Sequence, residues 1–353
     1  MTVLTIREVA RAAGVSRQTV SRVLNNKTQI APETRQRVLN VMEQLGYRPN
    51  ANARSLTGKG TQAIGLTLPD ISNPFFTELA TAIEAAAQER GYHVFLCNAG
   101  DTPDRELASI RLLQERRADG LILCSSRLPD DLLRQLLAQH HPIVLVNRRL
   151  EAPGSVQIRA DYARGGYLAT RHLLDRGHRD VAAITLLAET ANSREKLNGY
   201  FQALEEAGIA PDPALIARGP SHVTGGYDAA MRLLQPPRRL SAIFVYSEAM
   251  AIGVLRACDV LGLRVPDDVA IVAFGGGRLS AMVHPPLSTI HVPLYSMGRR
   301  AFEMLAQLLA GQVPSPPQVL IKPTLVVRES SVRGASMADS QYQAAIQTEW
   351  PPE

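Results

Sequence analysis

From about residue 62 onward, short apolar runs alternate with amphipathic helical stretches, and this alternation limits the possible folds more than any other feature. Continuous apolar runs are typical of strands that are buried on both faces, as in parallel sheets. Parallel strands need crossover connections, which the helical stretches supply. The predicted strands are Ala63–Leu68, His93–Cys97, Gly120–Cys124, Pro142–Val146, Val156–Ile158, Val181–Leu186, Ala242–Val245 and Val269–Phe274.

The stretches between these runs carry apolar residues at helical spacing. There are too many strands for one small sheet, and the pattern repeats before and after about residue 160. We therefore predict two similar lobes built from βαβ units. The predicted helices include Thr77–Arg90, Arg105–Arg116, Ala163–Arg176, Glu195–Ala207, Gly225–Leu234 and Glu248–Leu261.

The first 60 residues differ from the rest of the chain in charge. They hold ten Lys/Arg and three Asp/Glu side chains, a net charge of +7. The remaining 293 residues hold 28 basic and 30 acidic side chains, a net charge of −2. A basic end on a near-neutral body indicates a module that binds a polyanion. A solvated basic face is the alternative that composition leaves open.

The basic end is predicted to form three short helices. Thr5-Ile6-Arg7-Glu8 is a capping box that starts the first helix, and Gly14 ends it because glycine accepts a positive φ. Ser16 can cap the second helix, Arg17 to Leu24. Pro32 suits the first turn of the third helix. The predicted inner face of that helix is Val38, Leu39, Met42 and Leu45, and Gly46 ends it.

Two helices joined by a glycine turn are typical of a helix-turn-helix, whose second helix presents donors to the major groove of DNA. Arg17 can pair with guanine and Gln18 with adenine. Short hydroxyls suit phosphate, and Arg22 lies one turn beyond Gln18. The alternative is a surface helix pair with incidental arginines. The residues predicted to contact DNA from this helix are Ser16, Arg17, Gln18, Thr19, Ser21 and Arg22.

Several motifs occur in an order that identifies a family. The N-terminal ones are Val9-Ala10-Arg11-Ala12-Ala13-Gly14-Val15-Ser16-Arg17-Gln18-Thr19-Val20-Ser21-Arg22-Val23-Leu24-Asn25, Leu45-Gly46-Tyr47-Arg48-Pro49-Asn50 and Ala53-Arg54-Ser55-Leu56. The later ones are Asn73-Pro74-Phe75-Phe76, Gly177-His178-Arg179 and Pro285-Pro286-Leu287-Ser288-Thr289-Ile290. Together they resemble LacI/GalR-type bacterial repressors over roughly residues 3–330.

The resemblance implies an α/β chain with an N-terminal all-α helix-turn-helix DNA-binding domain and a two-lobed, periplasmic-binding-protein-like body with parallel sheets. The expected DNA-binding domain is 1–48, the hinge helix and linker 49–61, and the body 62–333. The polar tail, 334–353, is predicted to be disordered. Crossovers are expected near Arg159–Asp161, Thr289–Val292 and Ile321–Leu325. They separate a first lobe, about 62–159 and 291–322, from a second, about 160–290 and 323–333.

The resemblance also implies that Asn50–Leu56 form a hinge helix that folds on DNA. Leu56 matches the family leucine that wedges into a central minor-groove step. An apolar side chain can unstack such a step at a cost of about a few kcal/mol. Arg54 and Asn50 would hold the flanking backbone, whereas ordinary linker packing is the alternative for Leu56. Further positions expected to contact DNA are Thr5, Asn25 and Ala53.

In the body, the resemblance implies a small-molecule cleft between the lobes, at the carboxyl ends of the parallel strands. Phe75 and Phe76 match positions that face this cleft, where one ring can stack on a sugar. Core packing is the alternative for at least one of them. Asn147 and Asp161 match polar positions at strand ends, and turn or helix capping is their alternative role.

Three departures from the family pattern concern the ligand. Lys196 stands where the family often has arginine, and Ser247-Glu248 where it often has Asn-Asp. Gly275 stands where the family usually has an aspartate that grips sugar hydroxyls. Losing that carboxylate while keeping Lys196 makes the pocket less hostile to an anion. Because similar replacements occur in the gluconate-type branch, we expect a sugar acid such as gluconate or a ketogluconate. Alternatively, Glu248 replaces the lost acid and the effector is a neutral sugar.

The expected protein is thus a homodimeric transcriptional regulator, most simply a repressor, that binds double-stranded operator DNA and a carbohydrate effector. A sugar-binding protein of transport and a two-lobed enzyme are the alternatives. The sequence shows no signal peptide, which a transport protein would be expected to have. It also shows no catalytic set of residues, which an enzyme would need. The three cysteines give no disulfide or zinc pattern, and no apolar run approaches the roughly 18 residues of a membrane helix. We expect a cytoplasmic protein with no metal, cofactor or membrane partner.

Overall fold

A computed structural model describes residues 4–24, 29–47, 60–139, 142–236 and 240–333. The chain divides into two compact units, Met1–Gln62 and Ala63–Glu353. The predicted tail, 334–353, lies outside the described residues. The predicted α/β class, with N-terminal helices and parallel sheets, is confirmed.

The first unit contains helices α1 (Ile6–Ala12), α2 (Arg17–Leu24) and α3 (Pro32–Gln44). Val9, Val20 and Val38 are fully buried where these helices meet. The prediction that Leu39 lies on the inner face of α3 is wrong, because its side chain is 43% exposed. Each step along a helix turns about 100°, so the face that buries Val38 directs its neighbour toward solvent.

Local capping fixes the ends of these helices. The Glu8 carboxylate accepts hydrogen bonds from the Thr5 N–H at 2.6 Å and the Thr5 hydroxyl at 3.0 Å, within the predicted capping box. These bonds hold the pKa of Glu8 below its usual value. The Ser16 hydroxyl accepts the Thr19 N–H at 3.1 Å at the start of α2. Gly14, between α1 and α2, has a φ of +66°, which favours glycine.

The second unit, which we call the body, contains two six-stranded sheets. The first sheet has the order β11-β5-β4-β3-β1-β2 and is parallel throughout. The second has the order β12-β10-β9-β8-β6-β7, with only β12 antiparallel to its neighbour. The strands are β1 (Ala63–Leu68), β2 (His93–Asn98), β3 (Gly120–Cys124), β4 (Ile143–Val146), β5 (Val156–Ala160), β6 (Val181–Leu186), β7 (Ile216–Gly219), β8 (Ala242–Val245), β9 (Ala270–Phe274), β10 (Ser288–His291), β11 (Gln318–Ile321) and β12 (Thr324–Val326).

Nine helices of the described body cover these sheets, with one 3₁₀ turn at Pro213–Leu215. They are α4 (Pro74–Glu89), α5 (Pro103–Glu115), α6 (Asp130–Ala138), α7 (Tyr162–Asp175), α8 (Ala191–Glu206), α9 (Val223–Leu233), α10 (Glu248–Val260), α11 (Arg278–Met282) and α12 (Leu294–Leu309). Helix α12 packs against α4, α7 against α8, and α9 against α10. We call the first sheet with its helices the first lobe, and the second sheet with its helices the second lobe.

The chain passes between the sheets at three places. It leaves the first sheet after β5 and returns through α12, which follows β10 and contacts β3 and β4. It then joins the first sheet as β11 and the second sheet as β12. Four strands, β7, β10, β11 and β12, were not among the predicted ones. Each is short and includes polar residues, whereas β4 and β8 are equally short but wholly apolar.

Strand β2 differs from the expectation that the strands are buried on both faces. It lies at the edge of the first sheet, and its Phe95 and Leu96 side chains are 47% and 38% exposed. By contrast, β1, its neighbour, is buried along its whole length. An apolar run therefore identified the strand correctly but not its place in the sheet.

Helices α7 and α8 approach each other closely through glycines. A methyl group on Gly166 would lie 2.0 Å from the Lys196 carbonyl oxygen, and one on Gly199 would lie 1.9 Å from the Ala163 carbonyl oxygen. Only hydrogen fits at such distances. This packing fixes α8, which carries Lys196, against α7.

No helix in the described part of the chain has both the length and the apolar character to cross a membrane.

Candidate functional site

Helix α2 has one buried face and one polar exposed face. Val20 and Val23 pack into the core of the first unit. Arg17, Gln18 and Arg22 are exposed. Positions four apart share a helix face, so Gln18 and Arg22 lie side by side. An exposed row of guanidinium and amide donors can hydrogen-bond to base edges or phosphates.

The hydroxyl groups near the start of α2 already have partners within the protein. The Ser16 and Thr19 hydroxyls lie 2.9 Å apart in the capping arrangement. Thr5 and Ser16 are exposed, whereas Thr19 and Ser21 are half-buried. Capping leaves the positive end of the helix dipole pointing outward, where it favours an anion such as phosphate. The remaining residues predicted to contact DNA, Asn25, Asn50, Ala53, Arg54 and Leu56, lie outside the described residues.

In the body, residues at the carboxyl ends of strands of the first sheet contact helix α8, which follows β6 of the second sheet. Asn192 Nδ2 donates to the Asn147 carbonyl oxygen at 3.0 Å. The Arg159 guanidinium lies 3.2 Å from a Glu195 carboxylate oxygen. Both contacts join the first lobe to α8 of the second. We call this zone, where the carboxyl ends of the two sheets' strands meet, the interlobe cleft.

Lys196, predicted to face an anionic ligand, is held inside the protein. Its side chain is buried, and its Nζ donates to the Tyr246 carbonyl oxygen at 3.0 Å. Nζ also lies 3.6 Å from the centre of the Tyr246 ring, 3.8 Å from that of Phe274 and 5.0 Å from that of Tyr162. Burial holds the pKa of Lys196 well below its usual value. We call these three rings the aromatic cage.

Glu248 occupies the space beside the glycine that replaces the family aspartate. A methyl group on Gly275 would lie 3.0 Å from the Glu248 Cβ. Glu248 Oε2 accepts the Gly277 N–H at 3.2 Å, whereas Oε1 is buried without a partner among the described residues. Ser247 caps α10 by accepting the Met250 N–H at 3.4 Å. Oε1 can therefore accept a hydrogen bond from a ligand hydroxyl.

Asn147 and Asp161, the two predicted polar residues of the first lobe, take different roles. Asn147 is buried with a φ of +54°, and its Oδ1 accepts the Ala160 N–H at 3.4 Å. Its Nδ2 is buried without a partner in the described chain, which leaves a donor for a ligand. Asp161 caps α7 by accepting the Arg164 N–H at 3.0 Å.

Phe75 and Phe76 are both half-buried at the start of α4. Their ring centres lie 5.2 Å apart in an edge-to-face arrangement. The Asn73 side chain accepts the Phe75 N–H at 3.1 Å and so starts the helix. Both rings also pack against the main core of the body.

Sequence reasoning missed several charged and aromatic residues of the cleft. Arg127 pairs with Asp101 at 2.9 Å and lies within the electrostatic reach of Tyr246 and Tyr162. Burial raises the pKa of Tyr246 to about 12, while the Arg127 charge and a hydrogen bond with Thr190 oppose that shift. Their place in the sequence could have identified them, because each lies within three residues after the end of a strand. They are Arg127, Tyr162 and Tyr246.

No group of three or more His, Cys, Asp or Glu side chains that could hold a metal ion occurs within the described ranges.

The chain is similar to known regulatory proteins over nearly its whole length. The family described as "Bacterial regulatory proteins, lacI family" matches residues 5–50. The family described as "Periplasmic binding proteins and sugar binding domain of LacI family" matches residues 61–329. The transcriptional regulator DegA of Bacillus subtilis is 36% identical over 330 residues, covering 93% of this chain and 98% of DegA.

Two solved structures are similar in fold. The lac repressor dimer bound to operator and an anti-inducer has a TM-score of 0.82 and 27% identity, covering 94% of this chain and all of that one. A complex of the transcriptional regulator CelR with cellobiose has a TM-score of 0.71 and 30% identity, covering 93% of this chain and all of that one. The predicted family and periplasmic-binding-protein-like body are thereby confirmed, and these relatives are regulators, not enzymes.

Proposed function

Because this chain belongs to the LacI family of bacterial regulatory proteins, we propose that it is a sequence-specific transcriptional repressor whose operator affinity is controlled by a small carbohydrate. The observation that carries the proposal is the capped helix α2, which buries Val20 and Val23 and exposes Arg17, Gln18 and Arg22. A regulator needs such a row of donors for base readout.

We assign the DNA-binding domain to 1–48, the hinge and linker to 49–61 and the two-lobed body to 62–333. In this arrangement Arg17, Gln18 and Arg22 contact bases, and Leu56 wedges into the minor groove. Asn50 and Arg54 hold the backbone beside the wedge. Effector binding changes the relation of the two lobes and thereby the order of the hinge, so that DNA and effector influence each other reciprocally.

We further propose that the protein acts in the cytoplasm as a homodimer on a near-palindromic operator. The edge strand β2 supports dimerisation, because its exposed Phe95 and Leu96 leave an apolar, unpaired edge that a second copy can cover. The similar lac repressor is described as a dimer bound to operator. Sedimentation of the protein with and without operator would measure the stoichiometry.

For the effector, we favour a sugar acid. Three arginines follow or end strands of the first sheet: Arg127 after β3, Arg148 after β4 and Arg159 in β5. Their side chains are each partly exposed, by 22%, 18% and 23%. Such a group of cations suits a carboxylate, which accepts paired hydrogen bonds from guanidinium.

A neutral sugar is the second candidate, because Glu248 Oε1 is a buried acceptor without a partner in the described chain. A carboxylate in that position favours sugar hydroxyls and disfavours an anion placed beside it. The similar regulator CelR is described in complex with cellobiose, a neutral sugar. The two candidates differ in which lobe dominates recognition, the arginines of the first or Glu248 of the second.

A thermal-shift screen of matched sugars and sugar acids tests the effector class. We expect D-gluconate or 2-keto-D-gluconate to raise the midpoint of body unfolding, since a ligand that binds only the folded state stabilises it. Binding of neutral sugars with no binding of the acids would overturn the sugar acid and favour the alternative. Operator binding, followed by fluorescence anisotropy with and without each hit, then gives the sign of the regulation.

A further inference from the structure

The three cleft arginines are all paired with carboxylates of the protein, but one pair differs from the other two. Arg127 pairs with Asp101 at 2.9 Å and Arg148 with Asp130 at 2.6 Å, both within the first lobe. Arg159, in β5 of the first lobe, pairs with Glu195, on α8 of the second lobe. Only this third pair therefore depends on how the lobes sit against each other.

The Arg159–Glu195 pair is partly exposed to solvent, and its geometry is not that of an ideal ion pair. Each side chain is 23% exposed. The contact uses a single guanidinium nitrogen, Nη1, which lies 3.4 and 3.2 Å from the two carboxylate oxygens. A bidentate pair with two parallel hydrogen bonds is shorter and stronger. An external carboxylate with free choice of position can thus bind Arg159 better than Glu195 does.

The position of Glu195 links this pair to the rest of the cleft. The next residue, Lys196, lies in the aromatic cage, and Asn192, one turn earlier on α8, donates to the Asn147 carbonyl oxygen. The Tyr162 hydroxyl lies within the electrostatic reach of Glu195, Arg159 and Arg127 together. Helix α8 therefore contacts the first lobe through its N-terminal half, in the zone assigned to the effector.

We propose that Glu195 is an internal competitor of the effector for Arg159. The Glu195 carboxylate contacts the guanidinium that the effector's carboxylate would bind. The inference rests on the proposed sugar-acid effector and deepens it. Displacing Glu195 from Arg159 breaks a direct contact between the two lobes. Binding of the effector to Arg159 is therefore coupled to movement of the second lobe. A neutral sugar has no group that replaces Glu195 in this way.

The test compares Glu195→Gln with Glu205→Gln in the full-length protein. The first substitution keeps the shape of the side chain and removes its charge, and Glu205 is an exposed residue of the same helix. Isothermal titration with D-gluconate, 2-keto-D-gluconate and D-glucose would measure affinity. We expect Glu195→Gln to bind the acid roughly three- to tenfold more tightly than the wild type, with a smaller change for glucose.

Two further measurements keep the result interpretable. Thermal unfolding of each variant shows that it folds, and Arg159→Gln is expected to weaken binding of the acid. Acid binding that is equal in the wild type, Glu195→Gln and Arg159→Gln would overturn the competition while leaving the sugar-acid effector in place. If neither acid binds the wild type or any variant, the effector class itself falls, and the competition falls with it.

Discussion

In helix α2, Arg17, Gln18 and Arg22 point into solvent, whereas in the interlobe cleft the polar residues turn toward the protein. Lys196 lies in the aromatic cage, Glu248 binds the Gly277 N–H, and Asn147 holds the Ala160 N–H. The helix can present its side chains to a long, rigid partner without rearrangement. An effector that binds Arg159 as proposed above must displace an internal contact, and such an exchange can couple binding to a change of conformation.

Glycines serve two different purposes in the protein. Gly14 serves a turn, with no atom near the place of its missing side chain, whereas Gly166 and Gly199 let two helices touch. A turn is determined by neighbours in sequence, but a close helix contact depends on residues 30 or more positions away.

The largest effect is expected from Gly199→Ala. The added methyl group would meet the Ala163 carbonyl oxygen, which belongs to the backbone and cannot rotate away. We expect the free energy of unfolding of the body to fall by about 3 kcal/mol, the upper part of the range for overpacked sites. Thermal unfolding followed by circular dichroism measures it. Gln202→Ala, an exposed change on the same helix, is the control, and equal midpoints would refute the close packing.

The next largest effect is expected from Arg17→Ala, and it concerns binding instead of stability. Loss of a bidentate contact to a base costs about 1–3 kcal/mol of specific affinity, or roughly 5- to 150-fold in Kd. The melting temperature should stay the same, because the side chain is exposed. Arg37→Ala, on α3, removes the same charge and serves as the control. If both variants bind operator equally, α2 does not read the bases.

A smaller effect is expected from Lys196→Met, which replaces a buried ammonium by an apolar chain of similar length. Burial lowers the pKa of Lys196, so the folded protein carries an electrostatic cost at neutral pH that disappears as the pH rises toward 10.5. We expect the variant to be more stable by about 1 kcal/mol at pH 7, with the difference shrinking at alkaline pH. Denaturant unfolding at several pH values measures this, with the exposed Lys322→Met as control.

A less stable Lys196→Met would mean that the aromatic cage, through cation–π attraction, outweighs the cost of burial. The same variant separates stability from sensing. If Lys196 takes part in the proposed control of operator affinity by the effector, Lys196→Met folds well, but its operator affinity no longer changes when effector is added. An unchanged response would restrict the aromatic cage to a structural role.

The sequence predicted the first unit more closely than the cleft. Capping residues, Gly14 and the spacing of valines act over a few positions, so the bounds of α2 were predicted correctly and Leu39 was the error. In the body, most strands were found because burial leaves a continuous apolar run. The side-chain partners could not be predicted, because the Arg159–Glu195 and Lys196–Tyr246 contacts join residues 36 and 50 positions apart.

The smallest effect is a dependence of stability on the titration of a histidine, and it belongs to the body because residues 1–62 contain no histidine. Burial lowers the pKa of His172 to about 4, and its Nε2 lies 2.8 Å from the Ser331 hydroxyl. Arg176 and His178 act in the same direction and Asp175 against it. The unfolded chain binds a proton at about pH 6.5 and the folded one only near pH 4, so stability falls as the pH drops between these values.

We therefore expect His172→Gln, which keeps a hydrogen-bonding group beside Ser331, to flatten the loss of stability between pH 6.5 and 4. The gain at pH 5 should not exceed about 1 kcal/mol, because His172 is only partly buried and solvent screens its charge.

His222→Gln would not be a fair control, since the His222 side chain caps α9 by accepting the Gly225 N–H. The exposed His93→Gln is suitable. If the slope of stability against pH is the same in wild type and His172→Gln, the acid sensitivity of the body has another source, and His178, whose pKa burial also lowers, is the next residue to change.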